Sequence, residues 1–238
     1  FFRIFGIENW KIMALIWAIV PIVNGITFTK VPIATLIEEG ETGMTIRELC
    51  RNKTFWILML MMLCAGASEQ GVSQWASTFA EQGLGVTKTI GDLAGPMAFA
   101  ILMGSSRAFY GKFGDRMDLD KFMIGSSILC IISYLCISLA PSAFVSLIGC
   151  SICGFSVGIM WPGSYSKAAA ALRNGGTSLF ALLALAGDIG CSGGPALVGL
   201  VSGLASDNLK KGILVGVVFP VLLLTGIAIL KKSKQDTA

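Results

Sequence analysis

Apolar residues crowd seven stretches of this chain: residues 12–28, 55–80, 89–110, 122–140, 144–171, 177–204 and 212–230. A helix needs about 20 apolar residues to cross the hydrocarbon core of a bilayer, so each stretch predicts a transmembrane helix. The separators are short and turn-forming. Residues 111–121 read Gly-Lys-Phe-Gly-Asp-Arg-Met-Asp-Leu-Asp-Lys, a charged loop between two spans, and Pro141-Ser142-Ala143 is a still shorter turn. The expectation is an all-α polytopic membrane bundle. The longest polar stretch, residues 29–53, carries Glu38, Glu39, Glu41, Arg47, Glu48 and Arg51. Within it, Thr45 followed by Glu48 is a capping-box pattern that predicts a short amphipathic helix. The stretch reads as a linker, giving three parts: residues 1–29, a linker at 30–53, and a six-helix bundle at 54–238.

Composition agrees with a membrane protein. Charged residues make up only 13% of the chain and hydrophobic ones 54%, whereas a soluble domain carries about 25% charged residues. The net charge of +4 reports orientation rather than nucleic-acid binding. With the 111–121 loop on the inner face, most Lys and Arg lie inside, including Arg116, Lys121, Lys167, Arg173, Lys231 and Lys232. Few lie outside, Lys210 and Lys211 among them. The C-terminus is therefore expected in the cytoplasm, with the chain in the plasma membrane.

Histidine is absent, which removes Ser-His and Cys-His catalysis and His metal ligands. Of the seven cysteines, all but Cys50 lie inside apolar runs and read as packing residues, Cys150-x-x-Cys153 included. No cofactor, no metal and no enzymatic activity is expected. Gly154-x-x-x-Gly158, Gly199-x-x-x-Gly203 and Gly212-x-x-x-Gly216 place small residues on one helix face, where helices can approach closely in lipid. The chain opens on Phe1 rather than Met, with no signal peptide, and so reads as a fragment whose N-terminal part is missing.

The polar residues inside the spans are few, and a charge in hydrocarbon is costly unless it faces protein or water. Asp188 stands about ten residues into its span, roughly 15 Å deep, among Gly187, Gly190, Gly193, Gly194 and Pro195. A broken helix with a midplane carboxylate fits a substrate or ion site; a hydrogen bond to a neighbouring helix is the plainer reading. Glu69, Gln70, Ser73, Gln74 and Trp75 form a polar stripe with an aromatic residue. It suits either a water-filled cavity that binds hydroxyls or amides, or the mouth of a helix at the headgroups. Trp161 reads as an interfacial anchor or a stacking platform, and Arg107 as a side chain that snorkels to the inner face.

Residues Gly111-Lys-Phe-Gly-Asp115-Arg116 resemble the Gly-x-x-x-Asp-Arg core of the loop signature of major facilitator superfamily transporters. The span order fits the second copy of that loop, so the chain resembles helices six to twelve of a twelve-helix transporter. The stretch 176–195 resembles the eleventh helix of sugar (fucose permease-like) members. Met117, Asp118, Leu119 and Asp120 stand where the full signature continues with basic residues. The resemblance implies secondary active transport of a small, polar, sugar-like solute by alternating access, coupled to protons. Gly111, Asp115 and Arg116 would then form a gating motif, and Glu69, Gln70, Gln74, Trp75 and Asp188 the substrate site. The partners implied are the solute, protons, the lipid bilayer and the missing N-terminal bundle. Drug or metabolite efflux on the same fold is the alternative. A seven-helix receptor is another, since Asp115-Arg116-Met117 imitates a receptor's Asp-Arg-Tyr, although the last span lacks Asn-Pro-x-x-Tyr.

Overall fold

In lipid there is no water to satisfy a bare backbone, so apolar runs of this length close their hydrogen bonds within helices. A computed structural model of the protein describes residues 5–6, 9–32, 43–84, 87, 91 and 93–235, without the side chains of residues 82–84, 94, 115, 143 and 233–235. Glu38, Glu39 and Glu41 of the expected linker and the start of the third span lie outside the described residues. The chain divides into two compact units, residues 1–40 and 41–238.

The first unit holds helix α1, Trp10–Phe28. The Asn9 side chain caps it by accepting the Lys11 N–H at 3.1 Å. Pro21 lies inside it. The hydroxyls of Thr27 and Thr29 donate back to the carbonyls of Val23 and Ile26 at 2.8 and 2.7 Å, which hides their polarity from an apolar surrounding.

The second unit is all-helical among its described residues. Its elements are α2 (Ile46–Arg51), α3 (Lys53–Ser73), α4 (Ala76–Leu84), a π-helical turn at Leu93–Met97, α5 (Ala98–Phe113), α6 (Leu119–Leu139), α7 (Ala143–Val157), α8 (Met160–Ala171), α9 (Gly176–Leu204), α10 (Leu209–Gly216) and α11 (Val218–Gln235). Among the described residues, six helical stretches, each taken across its breaks, are long and apolar enough to cross a membrane. The third predicted span appears as the π turn and α5, with its beginning outside the described residues. Three predicted spans are broken instead of continuous, at Gln74–Trp75, Gly158–Ile159 and Val217. Two of these breaks have a covalent cause. Pro162 and Pro220 lack the N–H that the carbonyls of Gly158 and Gly216 would accept four residues earlier.

The short helix α2 has the capping box expected of Thr45 and Glu48. The Thr45 N–H and hydroxyl donate to the Glu48 carboxylate at 2.7 and 2.8 Å, and the Glu48 N–H donates to the Thr45 hydroxyl at 3.3 Å. These bonds, the backbone one foremost, hold the Glu48 carboxyl below its usual range. Leu49 is fully buried, the Met44 N–H donates to the Asn174 carbonyl at 2.8 Å, and the Trp56 indole donates to the Cys50 carbonyl at 2.9 Å. Residues 43–56 are thus tied to the end of the bundle that carries the turn after α8.

The centre of the bundle is the crossing of α3 and α9. A Cβ on Gly66 or Gly190 would collide with the carbonyl oxygens of Gly187 and Leu63, and one on Gly194 would come within 2.6 Å of the Ala67 carbonyl oxygen. Of the three Gly-x-x-x-Gly pairs, Gly154/Gly158 packs on α5 at Phe99, Met103 and Ser106. Gly212/Gly216 packs on Val198 and Tyr134, and Gly199 packs on Trp75, while Gly203 faces open space.

Two outcomes follow from this packing. Gly190→Ala should lower the unfolding midpoint of the detergent-solubilised protein, because overpacking costs about 1–3 kcal/mol. Gly193→Ala, in the same helix with nothing within 4 Å, should leave it unchanged or raise it through helix propensity. Equal midpoints would contradict the close approach. The Glu48 capping bonds stabilise α2 above the ordinary Glu value, and that contribution is lost as pH falls through the lowered one. A carbon-13 NMR titration should therefore place Glu48 below the ordinary glutamate value, and Thr45→Ala should move it back up.

Candidate functional site

Glu69 stands near the end of α3, just past the Gly66 crossing. Its carboxylate Oε2 accepts a hydrogen bond from Arg107 Nη2 of α5 at 3.3 Å, forming an ion pair. The Glu69 side chain is 14% exposed and that of Arg107 44% exposed. Gln70 lies within hydrogen-bonding reach of the same carboxylate. Arg107 Nε donates to the Gly158 carbonyl at 3.2 Å. The side chain expected to snorkel toward the loop is instead held between a carboxylate on one helix and a carbonyl on another.

The pair opens into a recess of about 460 Å³ lined by Glu69, Arg107, Trp161, Pro162 and Tyr165. Trp161 and Tyr165 are one turn apart on α8 with ring centroids 6.2 Å apart, and Tyr165 lies 5.9 Å from Phe180 of α9. The Trp161 ring rests on the backbone at Gly187, where a Cβ would come within 2.6 Å of it. Its indole Nε1 is buried without a hydrogen-bond partner among the described residues. The recess therefore offers one anion, one cation with spare donors, and two aromatic walls. It is suited to a small solute with both hydroxyl groups and an apolar face.

Asp188, next to Gly187, lines a neighbouring groove of about 550 Å³ with Ile189, Ser192, Gly193 and Ala196. It is exposed, and close enough to Tyr165 and Cys191 to act on both electrostatically. Cys191 is in turn close to Glu69, so Glu69, Gln70 and Asp188 belong to one neighbourhood of α3, α8 and α9. Gln74 is exposed at the break after α3. Trp75 is turned toward α9: its indole donates to the Pro195 carbonyl at 3.2 Å and its ring covers Gly199. Arg107, Trp161 and Tyr165 are the residues that the polar-stripe reading missed or left open. Their signal in the sequence was a charge in an apolar span and an aromatic pair one turn apart.

The loop follows α5 directly, starting four residues after Arg107. Gly111 is in open space, and Arg116 is exposed at the end of a 3₁₀ turn, Gly114–Arg116. The side chain of Asp115 lies outside the described residues. Asp118 caps α6 by accepting the N–H groups of Lys121 and Asp120. These bonds, Lys121 first, hold its carboxyl below the usual range, helped by the charges of Lys121 and Lys231. Lys167 of α8 pairs with Asp120 in the first turn of α6. The cysteines are unbridged, and no group of His, Cys, Asp and Glu among the described residues is placed to hold a metal.

The model of the family described as the Major Facilitator Superfamily matches residues 2–195. Among solved structures, the chain is similar to the crystal structure of the E. coli fucose:proton symporter FucP, with a TM-score of 0.75 at 16% identity. The similarity covers 92% of this chain and 54% of that one, so the chain spans about half the length of that transporter. At this identity the likeness is one of fold. No curated protein matches.

Proposed function

Because this chain belongs to the Major Facilitator Superfamily, we propose that it takes part in secondary active transport of a small, polar, sugar-like solute by alternating access, driven by protons. The observation that carries the reading is the Glu69–Arg107 pair, which opens into a recess walled by Trp161 and Tyr165. Ionisable groups are kept in apolar spans at a cost and mark solute or proton pathways. Solute hydroxyls can donate to Glu69 and accept from Arg107, while an apolar sugar face lies against the rings. Gln70, Asp188, Gln74 and Trp75 extend the polar flank of the same path. A proton on Glu69 removes its charge and weakens the pair, which gives the site a way to respond to a proton gradient. The fucose:proton symporter of similar fold supports this choice of solute and coupling ion.

In this reading residues 1–29 are the last helix of an N-terminal bundle, 30–53 a cytoplasmic linker and 54–238 the C-terminal bundle. The N-terminal bundle completes the solute path. The excess of Lys and Arg at the 111–121 end puts that end and the C-terminus in the cytoplasm and the protein in the plasma membrane. Gly111, Asp115 and Arg116 gate the inner side.

Topology has a direct test. In a background without the native cysteines, a cysteine at Asp118 should be labelled only from the cytoplasm and one at Asn208 only from outside; the reverse would overturn the orientation. Transport is tested in the complete transporter by uptake with and without a pH gradient, beside counterflow. Glu69→Gln should lose accumulation driven by pH and keep exchange. Gln74→Ala and Asp188→Asn should weaken solute affinity by about 5- to 150-fold, the worth of one lost contact of about 1–3 kcal/mol. Wild-type behaviour in all three would move the solute site elsewhere.

A further inference from the structure

The two contacts of Arg107 join the cavity to a break in a helix. Pro162 has no N–H, and the residue four positions before it is Gly158. Helix α7 ends at Val157 and α8 restarts at Met160. The Gly163 N–H is taken by the Ile159 carbonyl at 2.8 Å, so the helix's own backbone offers the Gly158 carbonyl no replacement there. The carbonyl accepts from Arg107 Nε instead. Gly158 is buried, and a Cβ on it would come within 2.8 Å of Ser106 Cβ and 2.9 Å of the Met103 carbonyl oxygen.

We propose that Arg107 is a positioning residue that makes the bend between α7 and α8 depend on the state of Glu69. With Glu69 ionised, the guanidinium is held at both ends, and the Gly158 carbonyl is capped by a fixed donor. When Glu69 takes up a proton, or a solute group displaces it, the guanidinium keeps one anchor and turns toward the solute or the open recess. The cap on Gly158 then loosens, and the two arms of the helix shift about the break. Because Trp161 and Pro162 follow the break directly, the shift moves the wall of the recess itself. The charged and titratable groups around Glu69 are Arg107 from α5, Asp188 and Cys191 from α9 and, beyond Asp188, Tyr165 from α8. Arg107 alone among them also touches the break. A lysine could not do the same work, since its single ammonium lacks the fork that spans two acceptors. The proposal rests on the transport reading only for what the bend does to the solute.

The test uses the complete transporter with spin labels at Ile148 and Ala170, exposed positions on the two arms. The inter-label distance distribution should shift as pH is lowered through the carboxylate range. Glu69→Gln should give the low-pH distribution at every pH. Pro162→Ala, which returns the missing N–H, should remove the shift while the protein stays folded. Arg107→Lys should remove it as well and slow solute exchange about tenfold. A shift that persists in Pro162→Ala or Arg107→Lys, or none in the wild type, would overturn the proposal. A bend that responds to pH in a protein that exchanges no sugar would leave the proposal standing and sink the transport reading.

Discussion

The 41–238 unit depends on how closely α3 and α9 approach. Lipid tails are as apolar as the side chains, so no hydrophobic force drives these helices together; close backbone packing has to do it. Gly66, Gly190 and Gly194 line the contact, and the nearest atoms facing them are carbonyl oxygens of the partner helix. The crossing also fixes the site. It sets Glu69 just past the contact on α3, Asp188 beside it on α9, and the Trp161 ring against Gly187.

A second wedge holds the other side of α3. Tyr134 is fully buried on α6, and its hydroxyl donates to the Ser68 carbonyl at 2.8 Å. Glycines at 71 and 216 make room for it: a Cβ would stand 2.9 Å from its hydroxyl oxygen or 2.8 Å from its ring. Cys130, Cys150 and Cys153 are buried close to the same ring, which explains their place in apolar spans as small packing groups. Buried serines such as Ser127, Ser133 and Ser138 donate to carbonyls one turn back, so their polarity is absorbed within α6.

The ion pairs sit at the loop end and within the spans. At the loop end, Lys121 pairs with Asp118 at the exposed start of α6, where such a pair contributes little, and Lys167 of α8 pairs with Asp120 of α6. In the span, Glu69 and Arg107 form a pair that opens into the recess, and each offsets the other's desolvation. Removing one partner there leaves the other unpaired within an apolar span.

The sequence by itself determined the helical class, the span order and the small capped helix at Ile46–Arg51. Those follow from local quantities: the length of apolar runs, the place of turn residues, and a Thr and Glu three positions apart. It also marked Glu69 and Asp188 as out of place in their spans, because a carboxylate in hydrocarbon needs a reason. The breaks after Val157 and Gly216 were written in Pro162 and Pro220, yet an apolar run read for length alone passes over them. What only the tertiary structure decided is the partner of each polar group. Arg107 has a long, flexible side chain that could reach the loop or turn inward. Glu69, 38 residues away in sequence, and a carbonyl bared by Pro162 settle the choice. Trp75 and Trp161 are equally amphipathic on paper. One ends on the Pro195 carbonyl and the other on the cavity wall, because the α3–α9 crossing brings different backbone under each ring.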